Sequence, residues 1–145
     1  MTLHAEYDPG NIFAKILNGD MPSVGVFEDD IALAFMDVFP QVEGHTLVIP
    51  KNVQARNFLD MPSEAIGIYM ERVQRVAQGV ERALSPDGLI VTQFNGAAAG
   101  QTVFHLHFHI LPRFEGQSLK SHASGGMASA EALEPIAQKI RQAIQ

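Results

Sequence analysis

The stretch His105-Leu106-His107-Phe108-His109-Ile110-Leu111 alternates imidazole and apolar side chains without a break. Strict alternation over such a length is the pattern of a β-strand, whose side chains point to opposite faces with period 2. It predicts a strand that turns His105, His107 and His109 to an open face. Phe104, Leu106, Phe108 and Ile110 then turn to the core. Pro112 is expected to end the strand. Imidazole changes protonation near neutral pH, so three on one face form a reactive surface rather than a neutral one. Purification tags are contiguous and terminal, unlike this internal, pattern-locked run.

Working outward, the loop Asn95-Gly96-Ala97-Ala98-Ala99-Gly100-Gln101 feeds into the histidine run, and Leu89 to Phe94 before it reads as a strand. Val24 to Glu28 and Ile31 to Asp37 read as two strands around a turn at Asp29-Asp30, and His45 to Ile49 as another, closed by Pro50. Asn11 to Leu17 reads as a short helix capped by Asn11 and stopped at Asn18-Gly19-Asp20. A long helix is predicted from Asp60 or Ser63 onward. Ile66, Tyr69, Val73, Val76, Val80 and Leu84 recur in it at three- and four-residue steps, and Ser85-Pro86-Asp87-Gly88 ends it. Residues 114–128 look loose, and a last helix is expected over Ser129 to Ile144, with Pro135 kinking or restarting it. The fold class is therefore α+β: about five mostly antiparallel strands, the long helix on one face, a C-terminal helix, and the histidines on the other face.

The 145 residues suit a single domain, with its core over about 11–113 and a C-terminal extension over 114–145. A hydrophobic content of 46% and a charged content of 18% fit a globular chain. The net charge of −6 argues against bulk DNA or RNA binding, though not against a small nucleotide, whose phosphates need only local donors. The chain has no cysteine, which excludes disulfides, thiolate metal sites and a cysteine nucleophile. Without a basic start, a signal-like apolar stretch or a run of membrane-spanning length, the protein is expected to be soluble and cytoplasmic.

Two chemistries compete for the histidine strand. A single zinc ion bonds nitrogen at about 2.0–2.1 Å, while the outer two histidines of a regular strand lie roughly 13 Å apart at about 3.3 Å per residue. No carboxylate lies within the strand. A metal-dependent hydrolase therefore stands as an alternative, and no metal ligand is assigned. Nucleophilic catalysis fits the spacing better. A hydrogen bond from one ring nitrogen of His107 fixes the tautomer whose other nitrogen attacks, and the flanking histidines hold oxygens or move protons. The glycines of the 96–100 loop let backbone N–H groups approach an anion, with Gln101 and Thr102 as further donors, so a phosphate is the natural guest.

The run resembles the signature of the histidine triad family of nucleotide-binding hydrolases and transferases. Ile12-Phe13, Phe27-Glu28-Asp29-Asp30, Leu33-Ala34-Phe35-Met36-Asp37, Gly44-His45-Thr46-Leu47-Val48-Ile49-Pro50-Lys51 and Gly100-Gln101-Thr102-Val103 resemble the family's other blocks in the same order. The resemblance implies that His107 attacks the α-phosphorus of a nucleotide and that water resolves the nucleotidyl-histidine. It implies that His109 contacts phosphate, that His105 supports the nucleophile and that His45 joins from another strand. It places Asn95, Gln101 and Thr102 on the phosphate and leaving-group side, Asp37 on the ribose hydroxyls, and Phe13, Val26 and Phe35 near a purine base. It also implies a homodimer with one continuous ten-stranded sheet, to which the long helix contributes.

No cofactor is implied. The structural zinc that many bacterial relatives carry, on an N-terminal Cys-x-x-Cys and extra histidines, has no counterpart in Asn11-Ile12-Phe13-Ala14 or at Val53. Pro112-Arg113 resembles the dinucleoside polyphosphate hydrolase branch more than the phosphoramidase branch. Lys51 and Arg113 stand where they could meet phosphates, and His4 and His122 receive no role. A nucleotide-binding regulatory module acting through a protein partner is the remaining alternative.

Overall fold

Hydrophobic runs buried on both faces decide the architecture. The computed structural model describes residues 3–121 and 126–145, so His122 lies outside the described residues. Strands β1 (Gly25–Glu28), β2 (Ala32–Met36), β3 (Thr46–Pro50), β4 (Gly88–Thr92) and β5 (Phe108–Arg113) form one antiparallel sheet in the order β1-β2-β3-β5-β4. Helices are α1 (Ile12–Leu17), α2 (Ser63–Leu84) and α3 (Ala130–Ala143). Every residue of β2 and β3 is buried, because both faces of the central sheet are covered. Ala32, Ala34, Met36 and Val48 face α2 and α3, meeting Tyr69, Val73 and Val76. Leu33, Phe35, Leu47 and Ile49 face the other way onto Phe13 of α1. The histidine face is thus not open: α1 roofs part of it.

The predicted elements are present, with shifted ends. Asn11 caps α1, its side-chain oxygen accepting from the Phe13 and Ala14 N–H groups. The Asp29 carboxylate shapes the first hairpin by accepting from Ile31 and Ala32, and its other oxygen anchors Arg72 of α2 at 2.6 Å. α2 ends at Ser85, which takes the left-handed conformation at φ 48°. Pro135 lies on the exposed side of α3, and the helix runs through it without a restart. Pro50 closes β3 as its last residue, whereas Pro112 sits inside β5 rather than ending it, opposite Leu89.

The largest correction concerns the histidine run. Ladder pairing with β3 begins only at Phe108, opposite Val48. Beyond Pro50 the chain leaves the sheet, and the Leu106 N–H donates instead to the Ala55 carbonyl at 2.9 Å. His105, at a bend, and His107 therefore precede β5, outside its ladder with β3. Leu106 and Ile110 do enter the core with Phe108 packed against it, whereas Phe104 diverges and stacks under the Arg56 guanidinium at 4.2 Å.

Candidate active site

The histidines converge although they do not share a regular strand. His105, His107 and His109 are 1%, 7% and 7% exposed. The His107 and His109 rings lie 4.8 Å apart, and Phe13 of α1 stacks edge-on against His107 at 5.0 Å. His107 Nδ1 is 2.7 Å from the His105 carbonyl. A carbonyl only accepts, so Nδ1 carries the proton and the ring's lone pair is on Nε2.

A second pair of histidines is wired with equal definiteness. The Gln41 N–H donates to His45 Nδ1 at 3.1 Å. The proton of neutral His45 is therefore on Nε2, which lies 2.9 Å from His109 Nδ1 and 3.4 Å from Asp37 Oδ2. His109 accepts on Nδ1, so its own proton is on Nε2. His45 is fully buried, and Asp37 is 5% exposed, its Oδ1 accepting from the Phe39 N–H at 2.8 Å.

Asp37, His45 and His109 have ligand atoms within 4.8 Å of one another, a grouping that spacing along one strand could not reveal. It brings the carboxylate that a metal site would want. Its hydrogen bonds oppose one, however. A metal on His45 Nε2 moves the ring proton to Nδ1, where it meets the Gln41 N–H head on.

His107, His109, Asp37 and Thr102 line one cavity of about 380 Å³, walled on its apolar side by Phe13, Phe35 and Leu47. Its remaining wall comes from the C-terminal segment, where Met127, Ala128 and Ser129 face it and the Ala128 N–H donates to the Val38 carbonyl at 2.8 Å. Sequence reasoning missed this wall. The signal was the apolar pair Met127-Ala128 just ahead of the Ser129 cap.

Residues 18–116 match the model of the HIT domain, the domain of the histidine triad proteins. The chain belongs to the HIT family. An uncharacterized HIT-like protein of Methanocaldococcus jannaschii is 44% identical over 105 residues, covering 72% of this chain and 80% of its own. The crystal structure of a HIT-like protein involved in cell-cycle regulation from Bartonella henselae superposes with a TM-score of 0.87 at 49% identity, covering 96% of this chain and all of that one. An adenylylsulfatase of Arabidopsis thaliana is 33% identical over 118 residues, covering 77% of this chain and 59% of the plant protein. The chain is thus a member of a family of nucleotide-binding hydrolases and transferases. Among the described residues no helix is long and apolar enough to cross a membrane.

Other residues of the HIT pattern lie away from the cavity. Val26 packs on the opposite face of the sheet, in the core under α2 and α3. Asn95 Oδ1 accepts from the Phe58 N–H and from Gln93 Nε2. Gln101 is buried, its amide donating to the Arg56 and Val103 carbonyls and its oxygen accepting from the Gly96 N–H. The Gly96–Gly100 loop holds a short 3-10 turn, Ala97–Ala99, entered and left through glycines at φ 87° and 106°. Lys51 pairs with Glu28 at 2.6 Å, and Arg113 donates to the Gln117 carbonyl.

Ala14 and Val53 line a second cavity of about 430 Å³ behind His105. They offer no metal donor, and Asn11 is spent on capping α1, so the structural zinc of HIT relatives does not fit these residues.

Proposed function

We propose that the chain transfers or hydrolyses a nucleoside monophosphate group through a covalent intermediate on His107. The observation that carries this reading is the His105 carbonyl on His107 Nδ1, which leaves the Nε2 lone pair for attack in a cavity sized for a nucleotide. Attack forms an Nε2–phosphorus bond and breaks the bond from the α-phosphorus to the leaving group. The Nε2–H of His109 serves as hydrogen-bond donor to a phosphoryl oxygen or to the departing group, held in that tautomer by the His45 Nε2–H on its Nδ1, and the departing group takes its proton from solvent. Water then splits the phosphorus–nitrogen bond and releases the nucleotide. His105 supports the nucleophile, Thr102 lies beside the phosphates and Asp37 takes the ribose hydroxyls, with Phe13 and Phe35 against a purine base. Asn95 and Gln101 serve this site by holding the loop before the triad, and Val26 by packing beneath it. Substrates are nucleoside phosphoramidates, nucleotidyl adducts or dinucleoside polyphosphates; the adenylylsulfatase relative favours adenylyl adducts.

Rapid quench of the wild type with a labelled adenylate is expected to trap an acid-labile, base-stable adduct on His107. His107→Asn is expected to bind nucleotide without turning it over, and His109→Gln to lose about 10²–10⁴-fold in rate. An adduct elsewhere, or near-normal turnover by His107→Ala, sinks the mechanism. Binding without turnover by the wild type would instead support a regulatory nucleotide-binding module.

A further inference from the structure

The segment ahead of α1 has no part in this mechanism, yet it reaches the triad. Asn57 Nδ2 donates to the Leu3 carbonyl at 2.8 Å, Arg56 reaches the Glu6 carbonyl at 3.4 Å, and Asn11 donates to the Asp8 carbonyl. Between these ties Tyr7 lies half-buried with its hydroxyl 2.7 Å from His105 Nδ1, the rings 5.6 Å apart. Burial pushes the phenol pKa up, so it stays protonated, and the Asn11 amide acts on its oxygen as a donor. The hydroxyl hydrogen is therefore directed at His105, whose own proton is on Nε2.

His105 needs such a tie. It precedes β5, so no ladder hydrogen bond fixes it. One side of its ring borders the 430 Å³ cavity rather than packed side chains. Its Nε2 makes no hydrogen bond of ordinary geometry, although the Pro50 carbonyl acts on the ring. Yet the carbonyl of this same residue sets the tautomer of His107.

We propose that Tyr7 is a positioning residue of the reaction, holding the His105 ring so that the His105 carbonyl stays on His107 Nδ1. The inference rests on the role given to His107 above. In this chain a phenol from the N-terminal segment secures the first histidine of the triad.

Tyr7→Phe removes one oxygen and keeps the ring. Imidazole ¹⁵N spectra of the wild type are expected to show His105 only as the Nε2–H tautomer and His107 only as Nδ1–H. In Tyr7→Phe, His105 should become a tautomer mixture and the His107 signal should broaden. With an adenylyl phosphoramidate, kcat should fall about tenfold, the effect of one lost hydrogen bond. KM should stay within about twofold, because Tyr7 does not line the nucleotide cavity. A variant with a lowered thermal midpoint but unchanged kcat would make the tie merely structural and overturn the proposal. So would His105 appearing as Nδ1–H in the wild type, a result that needs no folded variant. If the wild type turns over no nucleotide, the proposed function fails, while the spectra decide separately whether Tyr7 fixes the ring.

Discussion

Gln41 carries no catalytic group, yet its backbone N–H settles the proton of two histidines. By donating to His45 Nδ1 it fixes His45 as a donor toward His109, and thereby His109 as a donor on its other nitrogen. The His105 carbonyl does the same for His107. Among these rings, His105 is the one whose burial holds it neutral. Burial lowers its pKa to about 4, with the Pro50 carbonyl opposing and His107 adding to the shift. The consequence for stability has a definite sign. Between an unfolded value near 6.5 and the folded value the unfolded chain binds more protons, so stability is present above this window and lost as pH falls through it. The depression corresponds to about 3 kcal/mol, an order of magnitude undiminished by solvent for so buried a ring. Urea midpoints of the wild type should fall from pH 6.5 to pH 4, and His105→Gln should flatten that slope. An equal slope in both proteins would remove His105 as the source.

At the scale of elements, the turn Gly44-His45 shows how a backbone requirement delivers a functional side chain. Gly44 adopts φ +94°, and a Cβ there would lie 2.5 Å from Leu84 Cδ1 and 3.0 Å from Pro112 Cγ. Leu84 can turn away, but the proline ring cannot. Gly116 at φ +81° has nothing within 4 Å and so isolates the backbone strain alone. Gly116→Ala is expected to cost about 1 kcal/mol and leave turnover unchanged. Gly44→Ala should cost about 1–3 kcal/mol more through overpacking and should slow turnover by displacing His45. Chemical denaturation and kcat on the two variants check this, and equal losses would refute it. Hydrophobic period made the elements legible: Tyr69, Val73 and Val76 at helical steps found α2, and the alternation at 105–111 found the triad's sidedness. What period could not show was where pairing stops. Pairing with β5 ends at Val48 although β3 itself runs on to Pro50 beside β2, and the Leu106 N–H turns instead to the Ala55 carbonyl, a tertiary partner with no local signature at His105 or His107. The Asp37–His45–His109 cluster was hidden for the same reason, because its members come from three different segments. Val26 alternates correctly yet lies on the far face, since β1 slips register between Gly25 and Phe27.

For the whole molecule, the two edges of the sheet are treated differently. The β1 edge is guarded by α3, whose Arg141 guanidinium donates to the Gly25 carbonyl at 2.7 and 3.1 Å. Among the described residues the β4 edge, Gly-Leu-Ile-Val-Thr, pairs only with β5; it carries no charge and no proline, and its Val91 is 45% exposed. An apolar, unguarded edge strand is a template for pairing with another chain. Pairing with a second copy satisfies it in a closed way, since two antiparallel β4 strands related by a two-fold axis extend five strands to ten without leaving a new edge of the same kind. The exposed Ile68 is the apolar residue α2 brings to its surface, and it gives the helix a share in such a contact. The protein is therefore expected to sediment at twice its 15.8 kDa chain mass at micromolar concentration. Val91→Lys sets a charge near its own symmetry mate, and like charges across a strand pair oppose association. That variant should shift to monomer with an unchanged thermal midpoint at low concentration, and high salt should partly restore the dimer. A wild type that stays at the single-chain mass, or a Val91→Lys protein that remains dimeric, would assign the β4 edge to something other than self-association.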